Sequence, residues 1–166
     1  MADLEAEIVA LQAELATFVQ PLEAQRDTTF ATPSILAGTK VVQVAQFTLE
    51  ASNVQGVTIT RLTFDKDLNK DADLENLYVE VNGVKFGSTR GGVGDAQATM
   101  DFNGSVTIAA GATATVRVVC DTKGGSIAHT APSLIDLIGW IANGASTGAS
   151  VPFPGAVTGQ DVTITK

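Results

Sequence analysis

The first 22 residues, MADLEAEIVALQAELATFVQPL, space their apolar side chains by fours and threes, at Leu4, Ile8, Leu11, Leu15, Phe18 and Leu22. An α-helix gathers that spacing on one face, leaving Asp3, Glu5, Glu7, Gln12 and Glu14 on the others. An apolar stripe on a short helix has to be buried against something. Either the helix folds back onto its own chain, or copies of the chain bury it together. The regularity of the spacing and the linker that follows favour burial between copies, with those six residues as the interface. A helix of this length is marginal in water by itself, so it orders on packing.

Beyond about residue 35 the period falls to two, the signature of half-buried strands. Phe47, Leu49 and Ala51 share one face of a run from Val41, and Val57 to Phe64 is a second run. Leu77, Val79 and Val81 alternate with Tyr78 and Glu80, and Asn82-Gly83 then turns the chain into Val84-Lys85-Phe86. Ala98 to Phe102 and Val106 to Ala109 read as short strands, and Ala110-Gly111 leads into Thr113 to Asp121. Leu134 to Ile141, between Pro132 and Gly144, has a strand's length, and Val157 to Thr165 closes the series. Gly91-Gly92-Val93-Gly94 reads as a flexible loop. About nine or ten short strands with no long helix between them predict a mainly β fold, an Ig-like β-sandwich with an N-terminal amphipathic α-helix. The expected organisation is a helix over 1–22, an extended linker over 23–39 and the sandwich over 40–166.

Hydrophobic residues make up 45% of the chain and charged residues 17%, which is the balance of a folded domain. Aromatics are only 5%, so the core has to come from Val, Ile, Leu and Ala. The net charge of −8, with no Lys/Arg cluster to offset it, disfavours nucleic acid as a partner. No membrane span is expected, because the most apolar run, Leu134 to Ala142, is short and contains Asp136. Glu5, Glu7 and Glu14 interrupt any secretory signal in the helix. A single cysteine allows no intramolecular disulfide, and Cys120 shares its phase with Val116 and Val118, facing the core.

One stretch carries ligand chemistry. Asp65, Asp67, Asn69, Asp71 and Asp73 place side-chain oxygens at every second residue, and calcium takes six to eight hard oxygen ligands. The EF-hand template fails, since Lys70 stands at its turn glycine and Asn76 at its bidentate glutamate. What remains is either an irregular calcium loop or a solvated acidic turn partly balanced by Lys66 and Lys70. No cofactor is required. His129, the only histidine, has no nucleophile-elbow context near Ser126 or Ser133, and it reads as an exposed loop residue. The Gly91–Gly94 run lacks the Lys-Ser/Thr of a phosphate loop. Trp140 suits either a core or an interface, and one Trp with one Tyr is too little for a stacked sugar-binding face. Nothing here points to an enzyme.

Several segments resemble a known group. Phe47-Thr48-Leu49-Glu50-Ala51-Ser52-Asn53, Val57 through Phe64, Leu77-Tyr78-Val79 with Asn82-Gly83, Val106 through Gly111 and Val157 through Ile164 are similar to repeated β-sandwich domains of cell-surface and surface-layer-like proteins of small-genome bacteria. Residues 4–16 resemble the Leu/Ala/Gln-rich helical segment that often precedes such domains. The resemblance implies an extracellular, non-catalytic, structural role. The expected function is a subunit that self-assembles with copies of itself into a filament, lattice or other cell-surface assembly. The alternatives are a virion fibre or capsid-type subunit, and a glycan or cell-wall binding module.

Overall fold

The computed structural model describes residues 4–11, 20–66, 74–93, 99–124, 129–131 and 134–166. Residues 4–11 form helix α1. The described strands are β1 (Leu22–Arg26), β2 (Ser34–Leu36), β3 (Val42–Ala51), β4 (Val57–Lys66), β5 (Leu74–Val81), β6 (Val84–Val93), β7 (Met100–Ile108), β8 (Thr113–Thr122), β9 (His129–Ala131), β10 (Ile135–Gly144) and β11 (Val162–Thr165). The protein is a mainly β sandwich with an N-terminal helix, and its eleven described strands slightly exceed the expected count.

One layer is a five-stranded sheet in the order β1-β3-β8-β5-β6, and the other is the three-stranded sheet β10-β4-β7. A small third sheet, β2-β11-β9, adds Ile35, Val162 and Ile164 to the same core. All pairings are antiparallel except that of β11 with β2. The inward positions of β3, β8 and β5 face those of β4, β7 and β10. Phe47, Phe64 and Phe102 form a run across the two layers, with successive ring centroids 5.9 Å apart in tilted and edge-on geometry. Edge-to-face contact adds to the area that these rings bury. Around them the core is aliphatic, as the low aromatic content requires.

Asn82 and Gly83 both have positive φ, the conformation of the tight hairpin that the sequence announces. Asn82 extends the pairing as well. Its backbone N–H donates to Thr115 O at 2.8 Å, and its Oδ1 accepts from Thr115 N at 2.8 Å.

Four expectations need correction. The segment 23–39 is not a linker throughout, since it contains β2 and most of β1. In LEAQR, Leu22 and Ala24 turn inward while Glu23 and Gln25 face out, so the alternation was present but short. Leu22 does not belong to the helix seam. It is fully buried on β1 opposite Ala51. The Gly91–Val93 stretch is not a loop, because the backbone of β6 pairs with β5 at Glu75↔Gly92 and Leu74↔Val93 and needs no side chains to do so. The two short strands expected over 98–109 are one strand, β7, with a bulge. Ile59 faces Val106, whereas Arg61 faces Asn103, so β7 carries an extra residue that breaks the alternation.

Both open sides of the sandwich are closed. On one side β6 and β7 approach so closely that a Cβ on Gly87 (φ +78) would meet Asn103 O at 2.6 Å, and one on Gly104 would meet the Phe86 ring at 2.8 Å. On the other, residues 150–160 form a strap along β10. Val157 and Leu137 exchange both backbone hydrogen bonds, and Val151 N donates to Ala142 O. Trp140 holds the strap through Nε1–H to Val151 O at 3.1 Å and an edge-on contact with Phe153 at 4.7 Å. Trp140 is thus a core residue, one of the two roles left open by the sequence.

Gln160, at the end of the strap, is a buried polar side chain with every partner it needs. Its Oε1 accepts from Gln46 N at 2.8 Å, and its Nε2 donates to Asp27 O at 2.9 Å and Gln46 O at 3.0 Å. One amide therefore ties the strap to the β1–β3 edge. Gln160→Leu leaves those backbone groups unpaired and should cost about 2–4 kcal/mol, measured by chemical denaturation. Gln160→Glu should be more destabilising at neutral pH than in acid, because an ionised carboxylate faces two carbonyl oxygens.

Candidate functional site

The apolar residues of α1 do not pack on the sandwich. Every residue from 4 to 11 is exposed, with Leu4, Ile8 and Leu11 at 65%, 49% and 58% of full exposure. Leu15 and Phe18 of the expected seam lie outside the described residues, and Leu22 belongs to the core. The chain then enters the sandwich at Pro21, whose carbonyl accepts from Ser52 N, at the Ala51 end of β3.

A second exposed apolar pair stands at the other end of β3, in the turn between β2 and β3. Thr39 N donates to Leu36 O to close that turn, and Leu36 and Val41 are 58% and 68% exposed. Val41 has φ +56, a conformation that a β-branched residue adopts at a cost of about 1–3 kcal/mol. Asp121, at the end of β8, holds it there. Its Oδ1 accepts from Val41 N at 2.8 Å, and its Oδ2 accepts from Asn76 Nδ2, also at 2.8 Å. Asn76 is likewise left-handed, at φ +51. Lys40 Nζ lies 3.4 Å from Asp121 and 3.7 Å from Glu75, the cross-strand neighbour of Asp121. One nearly buried carboxylate thus fixes two unusual backbone conformations, one at the β2–β3 turn and one near the start of β5.

The hydrogen bond from Asn76, then that from Val41, hold the Asp121 carboxyl below the usual carboxylate range, against the opposing effect of burial. A carboxyl whose folded pKa is depressed stabilises the fold above its unfolded pKa, and that contribution is lost as pH falls through the folded value. Asp121→Ala should lower Tm at neutral pH and flatten the fall of Tm with acidification below pH of about 4. Parallel melting curves of the two proteins across that range would contradict the assignment.

The acidic stretch is only partly visible. Asp65 is half-buried on β4, and Asp67, Asn69, Asp71 and Asp73 lie outside the described residues. Among the described residues no group of three or more His, Cys, Asp or Glu side chains is placed to hold a metal ion. Lys66, expected in a solvated turn, is instead wholly buried at the end of β4. His129 lies on β9 rather than in a loop. Cys120 is buried as its phase requires, and burial pushes its thiol up to about 12, so it is no nucleophile at neutral pH. A shallow depression of about 330 Å³ at the entry to β1 is lined by Gln20, Glu23, Glu50 and Ala51–Val54, with no base and nucleophile paired in it. No helix among the described residues is long and apolar enough to cross a membrane.

The exposed turn at Leu36 and Val41 was not anticipated from the sequence. Its signals were Gly38, which has φ +86 and lies against Gly124, and an apolar Leu36 outside any alternating run.

No protein-family model matches the chain, and no curated protein sequence does. Among solved structures it is similar to AvmM, which catalyses macrocyclization in alchivemycin A biosynthesis, at 11% identity over 88% of each chain with a TM-score of 0.40. It is also similar to a family 123 glycoside hydrolase from Clostridium perfringens, at 8% identity over 87% of this chain and 27% of that one, with a TM-score of 0.42. A third likeness is to the CFA/I adhesin CfaE of enterotoxigenic E. coli, at 8% identity over 87% of this chain and 48% of the adhesin, with a TM-score of 0.33. TM-scores this low assign neither an activity nor a partner.

Proposed function

We propose that this protein is an extracellular structural subunit that assembles with copies of itself, joined through its N-terminal helix and built on a rigid β-sandwich. The observation that carries this reading is the exposure of Leu4, Ile8 and Leu11 on a helix that its own sandwich leaves uncovered. An isolated helix of this size has too few hydrogen bonds to offset its nucleation cost. Burying one such leucine is worth about 1.5–3 kcal/mol, so a second copy supplies what the monomer lacks. The sandwich contributes a body with a continuous core and a satisfied polar tie at Gln160. The sequence likeness to domains of cell-surface and surface-layer-like proteins agrees with this role.

Removing residues 1–19 tests the proposal. The cut leaves Gln20, which donates to Pro152 O, and the buried Leu22 in place. The truncated protein should melt cooperatively within a few degrees of the full chain and sediment as a monomer under conditions in which the full chain assembles. Assembly that survives the cut would remove the helix from the role given to it here.

A further inference from the structure

We propose that Asn103 is the acceptor of an N-linked glycan, carried on the outward face of the three-stranded sheet. The inference rests on the reading that the chain works outside the cell, because oligosaccharyl transfer acts on exported chains. The chain has six asparagines, and only Asn103 has a Ser or Thr two positions on. Asn103-Gly104-Ser105 meets the acceptor rule Asn-x-Ser/Thr with x other than proline. Asp101 stands two positions before it and supplies the acid that transferases of the bacterial type also read. The fold puts this motif at the surface. Every second side chain of a strand shares a face, so Asp101 and Asn103 point outward while Phe102 is buried between the sheets. β7 is the edge strand of its sheet, and its bulge sets Gly104 and Ser105 against Thr60 alone. Ser105 is exposed, as Asn103 is.

The hydrogen bonds of the site leave the reacting atom open. Asn103 Oδ1 accepts from Arg61 Nε at 3.1 Å, whereas Asn103 Nδ2 and Ser105 Oγ have no hydrogen-bond partner among the described residues. Nδ2 is the atom that takes the sugar. It attacks the anomeric carbon of an oligosaccharide linked to a polyprenyl diphosphate. The new N–C bond forms as the bond from that carbon to the diphosphate oxygen breaks. The diphosphate leaves with the electron pair, and one Nδ2 proton passes to a base of the transferase. The product is a secondary amide that keeps Oδ1, so the bond from Arg61 survives and fixes the root of the glycan. Arg61 is itself steadied by Asp101, 3.4 Å away, and Thr63 Oγ1 donates to Asp101 at 2.8 Å. Asn76 makes the contrast, since its Nδ2 is committed to Asp121 and a sugar there would break a bond the fold uses. The surroundings suit a glycan as well. In the row Ile141–Arg61–Asn103, Ile141 is 46% exposed on a face otherwise polar, about 10 Å from Asn103 across two strand spacings. Sugar C–H groups laid along that row cover it.

The experiment exports the full chain from a bacterium that carries an oligosaccharyltransferase and its lipid-linked oligosaccharide, beside an established acceptor protein as control. Trypsin releases residues 91–117 as one peptide, between Arg90 and Arg117. Its mass should rise by that of the oligosaccharide, and fragment spectra should place the addition on Asn103. Asn103→Gln, Ser105→Ala and Asp101→Asn should each abolish the shift, while cooperative melting shows that each variant still folds. A peptide that stays unshifted while the control is glycosylated overturns the proposal. So does a shift that survives Asn103→Gln or Asp101→Asn. In the cells that make this chain, an unglycosylated chain at the surface overturns this inference alone, whereas a chain kept in the cytoplasm overturns the extracellular reading beneath it.

Discussion

A sandwich of two sheets has to close its open sides, and the rest of this structure depends on how it does so. Unpaired strand edges invite other chains to add strands. At one side glycine does the work: Gly87 and Gly104 let β7 and β6 come within backbone contact although they belong to different sheets, and the Arg90 side chain donates to Asp101 O across the gap. At the other, the strap covers β10 with a segment that contains Pro152 and Pro154, which have no N–H to offer. Gly159 fits against the Ile135 carbonyl where no Cβ could go, and Gln160 then reaches across to the backbone of β3. The core is mostly aliphatic, and it is this closure that turns its packing into one continuous cluster.

Much of the fold was legible because alternation is a strong signal when it is uninterrupted. β3, β4, β5 and β8 follow their patterns, and the Asn82-Gly83 turn and the inward phase of Cys120 come with them. The reading faltered where one pattern had two meanings. Leu22 suits a heptad and the first inward position of a strand equally well, and only the proline before it separates the cases. Gly91-Gly92 looks like a loop because glycine is usually chosen for freedom, yet backbone pairing alone holds it in β6. The bulge in β7 adds one residue and splits a single strand into two apparent ones.

The candidate site was legible in part. The periodicity of the helix gave Leu4, Ile8 and Leu11, and their exposure could be seen only once the sandwich proved complete without them. The turn at Leu36 and Val41 escaped notice because its character is set by φ and by a hydrogen bond from residue 41 to residue 121, eighty positions away. Separation of that size is invisible to any local pattern. Asp121 illustrates the same point. In sequence it is a polar residue ending an apolar run, whereas in the fold it organises both the β2–β3 turn and the start of β5.

The strap along β10 has a bearing on the dimensionality of anything built from this protein. The edges left on the two main sheets are the five-residue β1, which bears Glu23 and Arg26, and a β6 crowded by β7. Lateral fusion of sheets, the route to thick bundles and amorphous aggregates, therefore finds little to begin on. The two tips of the body, by contrast, carry turns and exposed apolar side chains that need no backbone pairing. A body whose main sheet edges are closed in this way meets other molecules through the side chains of its turns and not by adding strands.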